Sequence, residues 1–82
     1  MEYLELSNEN IRQYHVLIAN NVKIIRKIKK ITQLDLALSI GHKSMSSIGK
    51  IEAGLENKHY NIEQLYKISK VLEVDICEFF QQ

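Results

Sequence analysis

Apolar positions along the chain recur with helical rather than strand spacing. Between residues 8 and 30, Ile11, Tyr14, Ile18, Val22 and Ile25 fall within an arc of roughly 80° at 100° per residue. Ser7 or Asn8 is placed to cap this segment, with Glu9 early in its first turn. The phase passes unbroken across Asn20-Asn21, although Asn is a poor helix former, so the spacing predicts one long helix over about 8–30. A second apolar line, Leu17, Ile24, Ile28 and Ile31, is predicted to widen its buried face. Lys23, Lys27 and Lys30 then point to solvent. Ahead of it, Met1, Tyr3, Leu4 and Leu6 suit an edge strand, a helix extension or an arm.

The rest of the chain reads as shorter helices separated by turn chemistry. Thr32 is placed as an N-cap with Asp35 at N3, and Ile31 and Leu36 are placed as a hydrophobic staple. The second helix, about 32–40, has Leu34, Ala37 and Leu38 on its predicted inner face. Gly41 follows, where a left-handed backbone would cost a residue with a Cβ roughly 1–2 kcal/mol. Ser44 is the expected cap of a third helix running to Ala53, with Ile48 and Ile51 inward and Met45, Ser46, Gly49 and Lys50 outward. Gly49 costs that helix about 1 kcal/mol relative to Ala. Gly54 ends it, and a polar loop, 55–60, comes next.

Asn61-Ile-Glu-Gln64 is a capping box with Tyr60 and Leu65 as its staple. It opens a fourth helix, about 62–72, predicted to bury Ile62, Leu65, Ile68, Ser69 and Leu72. Asp75-Ile-Cys-Glu78, stapled by Val74 and Phe79, opens a short last helix. The chain has no Pro and is predicted to be all-α with five helices. Two helices about a short Gly-containing turn, over 32–54, have the shape of a helix-turn-helix, whose second helix can enter a DNA major groove.

Eighty-two residues allow one domain, or a domain plus an arm, with a thin stability margin. A single Cys excludes an intrachain disulfide, and His15, His42 and His59 have no partner at metal-ligand spacing, so no metal or cofactor is expected. Dimerisation is the remaining common support. No apolar run reaches the ~20 residues of a membrane span. The start, MEYLELSNEN, is unlike a signal peptide; with the free Cys it suggests a cytoplasmic protein. Cys77 beside Ile76 reads as a small core residue; a redox role would rest on its helix-start position, which lowers a thiol pKa. The net charge is only +1, but it is unevenly spread. Residues 21–58 hold eight Lys/Arg against three Asp/Glu, while each flank is net −2. A basic centre between acidic ends is a plausible footprint for nucleic acid. No nucleophile, base and orienting group occur at suggestive spacing, and there is no Gly-rich phosphate loop, so an enzyme is not expected.

In this order the segments resemble the phage repressor and Cro-like helix-turn-helix proteins of the XRE family. VKIIRKIKKITQLDLAL is similar to the family's first two helices, IGKIEAG to the end of its third, and IEQLYKISKVLEVDICEFF to its fourth and fifth. The resemblance covers about residues 18–80, leaving 1–17 as an N-terminal arm and extension of helix one before a domain over 18–82. It implies a five-helix repressor-like fold that binds double-stranded DNA. Met45, Ser46 and Lys50 match base-facing positions. Gln33, Ser44, Lys43, Asn57 and Lys58 match positions at or near the phosphates, and Arg26 and Glu52 match a structural ion pair. Phe79 is placed in the core and Phe80 or its neighbours at an interface. The chain departs from the pattern in five ways: one extra residue before Ser44, Lys43 where an apolar residue is usual, about two more residues in the loop after Gly54, Lys30 where Gly is common, and no Gln, Asn or Arg among the base-facing residues.

The reading that follows is a sequence-specific transcriptional regulator acting as a homodimer on a pseudo-palindromic operator, with helix three (about 44–53) in the major groove. The alternative is an antitoxin-like protein-interaction module in which residues 1–20 and the last helix dock a protein partner.

Overall fold

The computed structural model describes residues 7–82; the readings placed on Met1, Tyr3, Leu4 and Leu6 lie outside them. Four α-helices follow one another: α1 Asn8–Ile28, α2 Gln33–Ser39, α3 Ser46–Ala53 and α4 Ile62–Leu72. The fifth element, Ile76–Phe80, is a 3-10 helix rather than an α-helix. The Asp75 carboxylate caps its start. It accepts from the Cys77 N–H at 2.8 Å, two residues on, instead of closing the expected box with Glu78. No strand occurs among the described residues.

Four of the predicted caps form, Asp75 among them. Ser7 accepts from Asn10 N–H, Thr32 from Asp35 N–H, and Asn61 and Gln64 make a reciprocal box. α1 runs through Asn20-Asn21 without a break, and the Asn21 side chain has a tertiary role. Its Nδ2 donates to the carbonyls of Phe79 at 3.0 Å and Gln81 at 2.7 Å, tying the end of the chain to the middle of α1.

The core is one cluster. Ile18, Ala19 and Val22 from α1 meet Leu36, Ala37, Ile48, Ile51, Leu65, Ile68, Leu72 and Phe79. α1 packs on α3 and on the 3-10 helix, α2 packs on α3 and α4, and α4 packs on the 3-10 helix. Several apolar residues expected inside lie outside. Ile11 and Tyr14 share the phase of Ile18 but sit about half exposed on the first turns of α1, whose buried residues begin only at Ile18. The second apolar line of α1 is buried only in part: Ile31 packs against the core and Leu17 is half-buried, but Ile24 is half exposed and Ile28 70% exposed. Leu34 and Leu38 are exposed while Leu36 and Ala37 are buried, so α2 is rotated from its expected orientation. Ile62, the first residue of α4, is 70% exposed.

All four α-helices end in the same device. A left-handed residue follows each: Lys30, Gly41, Gly54 and Glu73, with φ of 61°, 90°, 71° and 57°. In each case its N–H and the next one turn back to carbonyls of the last turn, as in Lys30 N–H to Lys27 and Ile31 N–H to Arg26, both at 3.0 Å. This is the Schellman pattern, which favours Gly. Lys30 and Glu73 take the conformation with a Cβ in place. Lys30→Gly and Glu73→Gly are each expected to raise stability by about 1 kcal/mol, nearly additively, as read from urea melts. No gain at either position would show that side-chain contacts outweigh the backbone cost.

Candidate nucleic-acid interface

α2 and α3 are joined by a turn from Ile40 to Met45. Gly41 takes the left-handed backbone there, and His42 N–H donates to Ala37 O at 2.9 Å. α3 begins at Ser46, two residues later than expected, and Ser44 is not its cap. The Ser44 Oγ accepts from the Ser46 N–H at 3.3 Å, making a local turn before the helix, and Met45 occupies the cap position with no side-chain bond. His42-Lys43 therefore lengthens the turn.

One buried network fixes α3 against the rest of the fold. Arg26 Nε donates to Glu52 Oε2 at 2.8 Å and Nη2 to Glu52 Oε1 at 2.9 Å. The third donor, Nη1, reaches the Ile31 carbonyl at 2.7 Å. Gln33 Nε2 donates to Glu52 Oε1 at 2.9 Å. The Arg26 and Glu52 side chains are only 8% and 3% exposed, so both charges are desolvated and each relies on the other. Burial alone pushes the Glu52 carboxyl up, but the hydrogen bonds from Arg26 and Gln33 and the Arg26 charge outweigh it and hold it below the usual carboxylate range. The neighbouring Tyr60 phenol is pushed well above its usual range, chiefly by burial, and its hydroxyl has no partner among the described residues.

On its other side α3 is open. Met45 and Ser46 are exposed, with Gly49 and Lys50 one turn further along. A Cβ on Gly49 would meet only Gln33 Oε1, at 3.6 Å, an ordinary contact. The fold therefore does not require glycine here. Lys43, Ser44, Asn57 and Lys58 are exposed at the two ends of this surface. Gln33 lies beside it, half-buried, with one N–H of its side-chain amide donating to Glu52. An open cleft along α1 brings Lys23 and Lys27, expected only to point to solvent within the basic centre, next to Gln33 and Gly49.

Two contacts were not legible from spacing. The Lys50 ammonium lies 2.9 Å from Glu56 Oε2 in the lengthened loop. That hydrogen bond and the charges of Lys50 and Lys58 hold the Glu56 carboxyl below its usual range. His15 and His59, far apart in the chain, stack with ring centroids 3.8 Å apart and planes 16° from parallel. Burial, then the neighbouring His59, lowers the pKa of His15. Cys77 is exposed rather than part of the core, and the Asp75 carboxylate pushes its thiol up, opposite to the expected helix-start effect. No group of three or more His, Cys, Asp or Glu side chains placed to hold a metal occurs among the described residues. No described helix is long and apolar enough to cross a membrane.

Two short helices crossed about a glycine turn, the second locked by a buried ion pair and open on its far side, make this a helix-turn-helix protein. The helix-turn-helix family pattern matches residues 22–79, most of the chain, and the chain belongs to the XRE family of helix-turn-helix DNA-binding proteins. No curated protein and no solved structure matches it.

Proposed function

We propose that the chain is a cytoplasmic, sequence-specific transcriptional regulator that binds a pseudo-palindromic operator as a homodimer. The observation that carries this reading is the buried Arg26–Glu52 pair, which pins the inner side of α3 and leaves Met45, Ser46 and Lys50 facing out from the basic centre. α3 enters the major groove. Lys50 donates to guanine O6/N7, Met45 touches a thymine methyl, and Ser46 bonds to either kind of edge. Lys43, Ser44, Asn57 and Lys58 hold the phosphates on either side, with Gln33 at the start of α2. Gly49 lets the helix backbone come close to the duplex, a role the fold itself does not supply. Two-fold symmetry would set the half-sites about one helical turn apart, ~34–36 Å.

The test is selection from a random duplex pool, followed by salt titration of the enriched site. An enriched palindrome, with log K falling linearly in log salt by about 0.9 per phosphate contact, is the expected result. Lys50→Ala should cost about 1–3 kcal/mol on the enriched site and relax the preference at one position. Lys58→Ala should weaken all sequences alike and reduce the salt slope by about 1. Lys58 is the better phosphate probe, because Gln33→Ala would also disturb Glu52.

The protein-interaction module is the second reading. What favours it is the half-exposed apolar surface of Ile11, Tyr14 and Val16 on the first turns of α1, ahead of the family match. Weak binding with no enriched sequence would move the assignment there.

A further inference from the structure

The loop after α3 places an acid on a surface that the proposed function would fill with lysines. Glu56 Oε2 lies 2.9 Å from Lys50 Nζ, and the two side chains are 56% and 40% exposed. The backbone holds the carboxylate there. Gly54 ends α3 in the left-handed region, and Leu55 N–H donates to Lys50 O at 2.9 Å, so the loop turns back over the last turn of the helix. Glu56 and Asn57 are both left-handed, with φ of 56° and 52°, and Lys58 N–H closes the turn on Leu55 O at 3.1 Å. An ion pair this exposed adds little to stability. A glutamate in a conformation that penalises its Cβ therefore calls for another account.

Resting on the DNA-binding reading, we propose that Glu56 is a specificity-determining residue that steers Lys50 away from phosphates and toward base edges. A lone lysine is a strongly hydrated point charge, attracted to any phosphate along a duplex. With Glu56 beside it, an approaching phosphate meets a nearly neutral pair and a carboxylate oxygen of its own sign. A guanine edge offers O6 and N7 as uncharged acceptors and escapes most of that repulsion. An ammonium has three donors, so one can stay on Glu56 while the others face the base. The pair also holds the flexible lysine in one arrangement before binding, which reduces the ordering cost of contact. Glu56 lies within the loop after Gly54, between the end of α3 and Lys58.

The experiment uses the full chain and its Glu56→Gln variant. Each is titrated across a salt series against the enriched duplex and against a scrambled duplex of equal length. The same pair is then made in a Lys50→Ala background. Gln keeps the size of the side chain, and an unchanged thermal melt verifies the fold. Glu56→Gln is expected to tighten the scrambled duplex more than the enriched one. Its salt slope on scrambled DNA should steepen by about 0.9, roughly a threefold larger loss between 50 and 200 mM salt. In the Lys50→Ala background the Gln substitution should tighten both duplexes alike, through lost carboxylate repulsion, and the bias toward scrambled DNA should vanish. Equal tightening of both duplexes when Lys50 is present, persistence of the bias toward scrambled DNA without Lys50, or no effect at all would each overturn the assignment while leaving DNA binding intact. A wild-type chain that enriches no sequence would instead overturn the DNA-binding reading, and this one with it.

Discussion

Replacing Arg26 with methionine is expected to destabilise the protein by about 3–5 kcal/mol, measured by urea unfolding. The substitution leaves the Glu52 carboxylate buried with only Gln33 to answer it, and it frees the Ile31 carbonyl that Arg26 now holds. The loss comes mostly from the stranded charge rather than from the worth of the pair. Arg26→Met combined with Glu52→Leu should therefore be markedly less damaging than Arg26→Met alone. A single-variant cost under 1 kcal/mol would mean that Glu52 escapes to solvent and that the pair does not hold α3. The network also sets a pH dependence. The folded Glu52 carboxyl is held below its unfolded value, so its contribution is complete above that value and is lost as pH falls through the depressed one. Stability should decline below about pH 4.3, the ordinary value for Glu, and Glu52→Gln should remove part of that slope.

Phe79→Ala is expected to cost a similar amount, about 3–5 kcal/mol. Phe79 is fully buried, and the 3-10 helix that carries it packs on both α1 and α4. At about 0.05–0.15 kcal/mol per residue, a domain of this size has only about 4–12 kcal/mol in total, so the variant should be near its unfolding threshold. Phe80 is half-buried at the edge of the same cluster, and Phe80→Ala should cost clearly less. Urea melts with unchanged m-values would show both as losses of packing rather than changes in the unfolded chain. Equal costs at the two positions would place Phe80 as deep in the packing as Phe79.

The two large effects differ in how visible they were beforehand. Phe79 stands at staple spacing from Val74, so a local pattern marked it. Arg26 and Glu52 are 26 residues apart, and nothing in periodicity or charge joins them. The pairing was expected only through resemblance to the family. The anchoring bonds of Asn21 carried no signal at all, since a mid-helix Asn reads only as a weak helix former.

What the sequence by itself determined is the local layer. Helical phase placed four α-helices nearly to their ends, and Ser7, Thr32 and Asn61 act as caps because a cap needs only the next three backbone groups. Gly41 takes the left-handed backbone expected of it, and Gly54 ends α3 where the sequence placed its end. Tertiary structure decided the rest. Phase shows which residues share a side of a helix, not which element covers that side. Leu34, Leu38, Ile28 and Ile62 therefore lie in solvent despite their spacing. The late start of α3, the His15–His59 stack and the Lys50–Glu56 pair depend on how two lengthened connections close in space. Those paths are set by packing between elements distant in the chain, which no window of neighbouring residues contains.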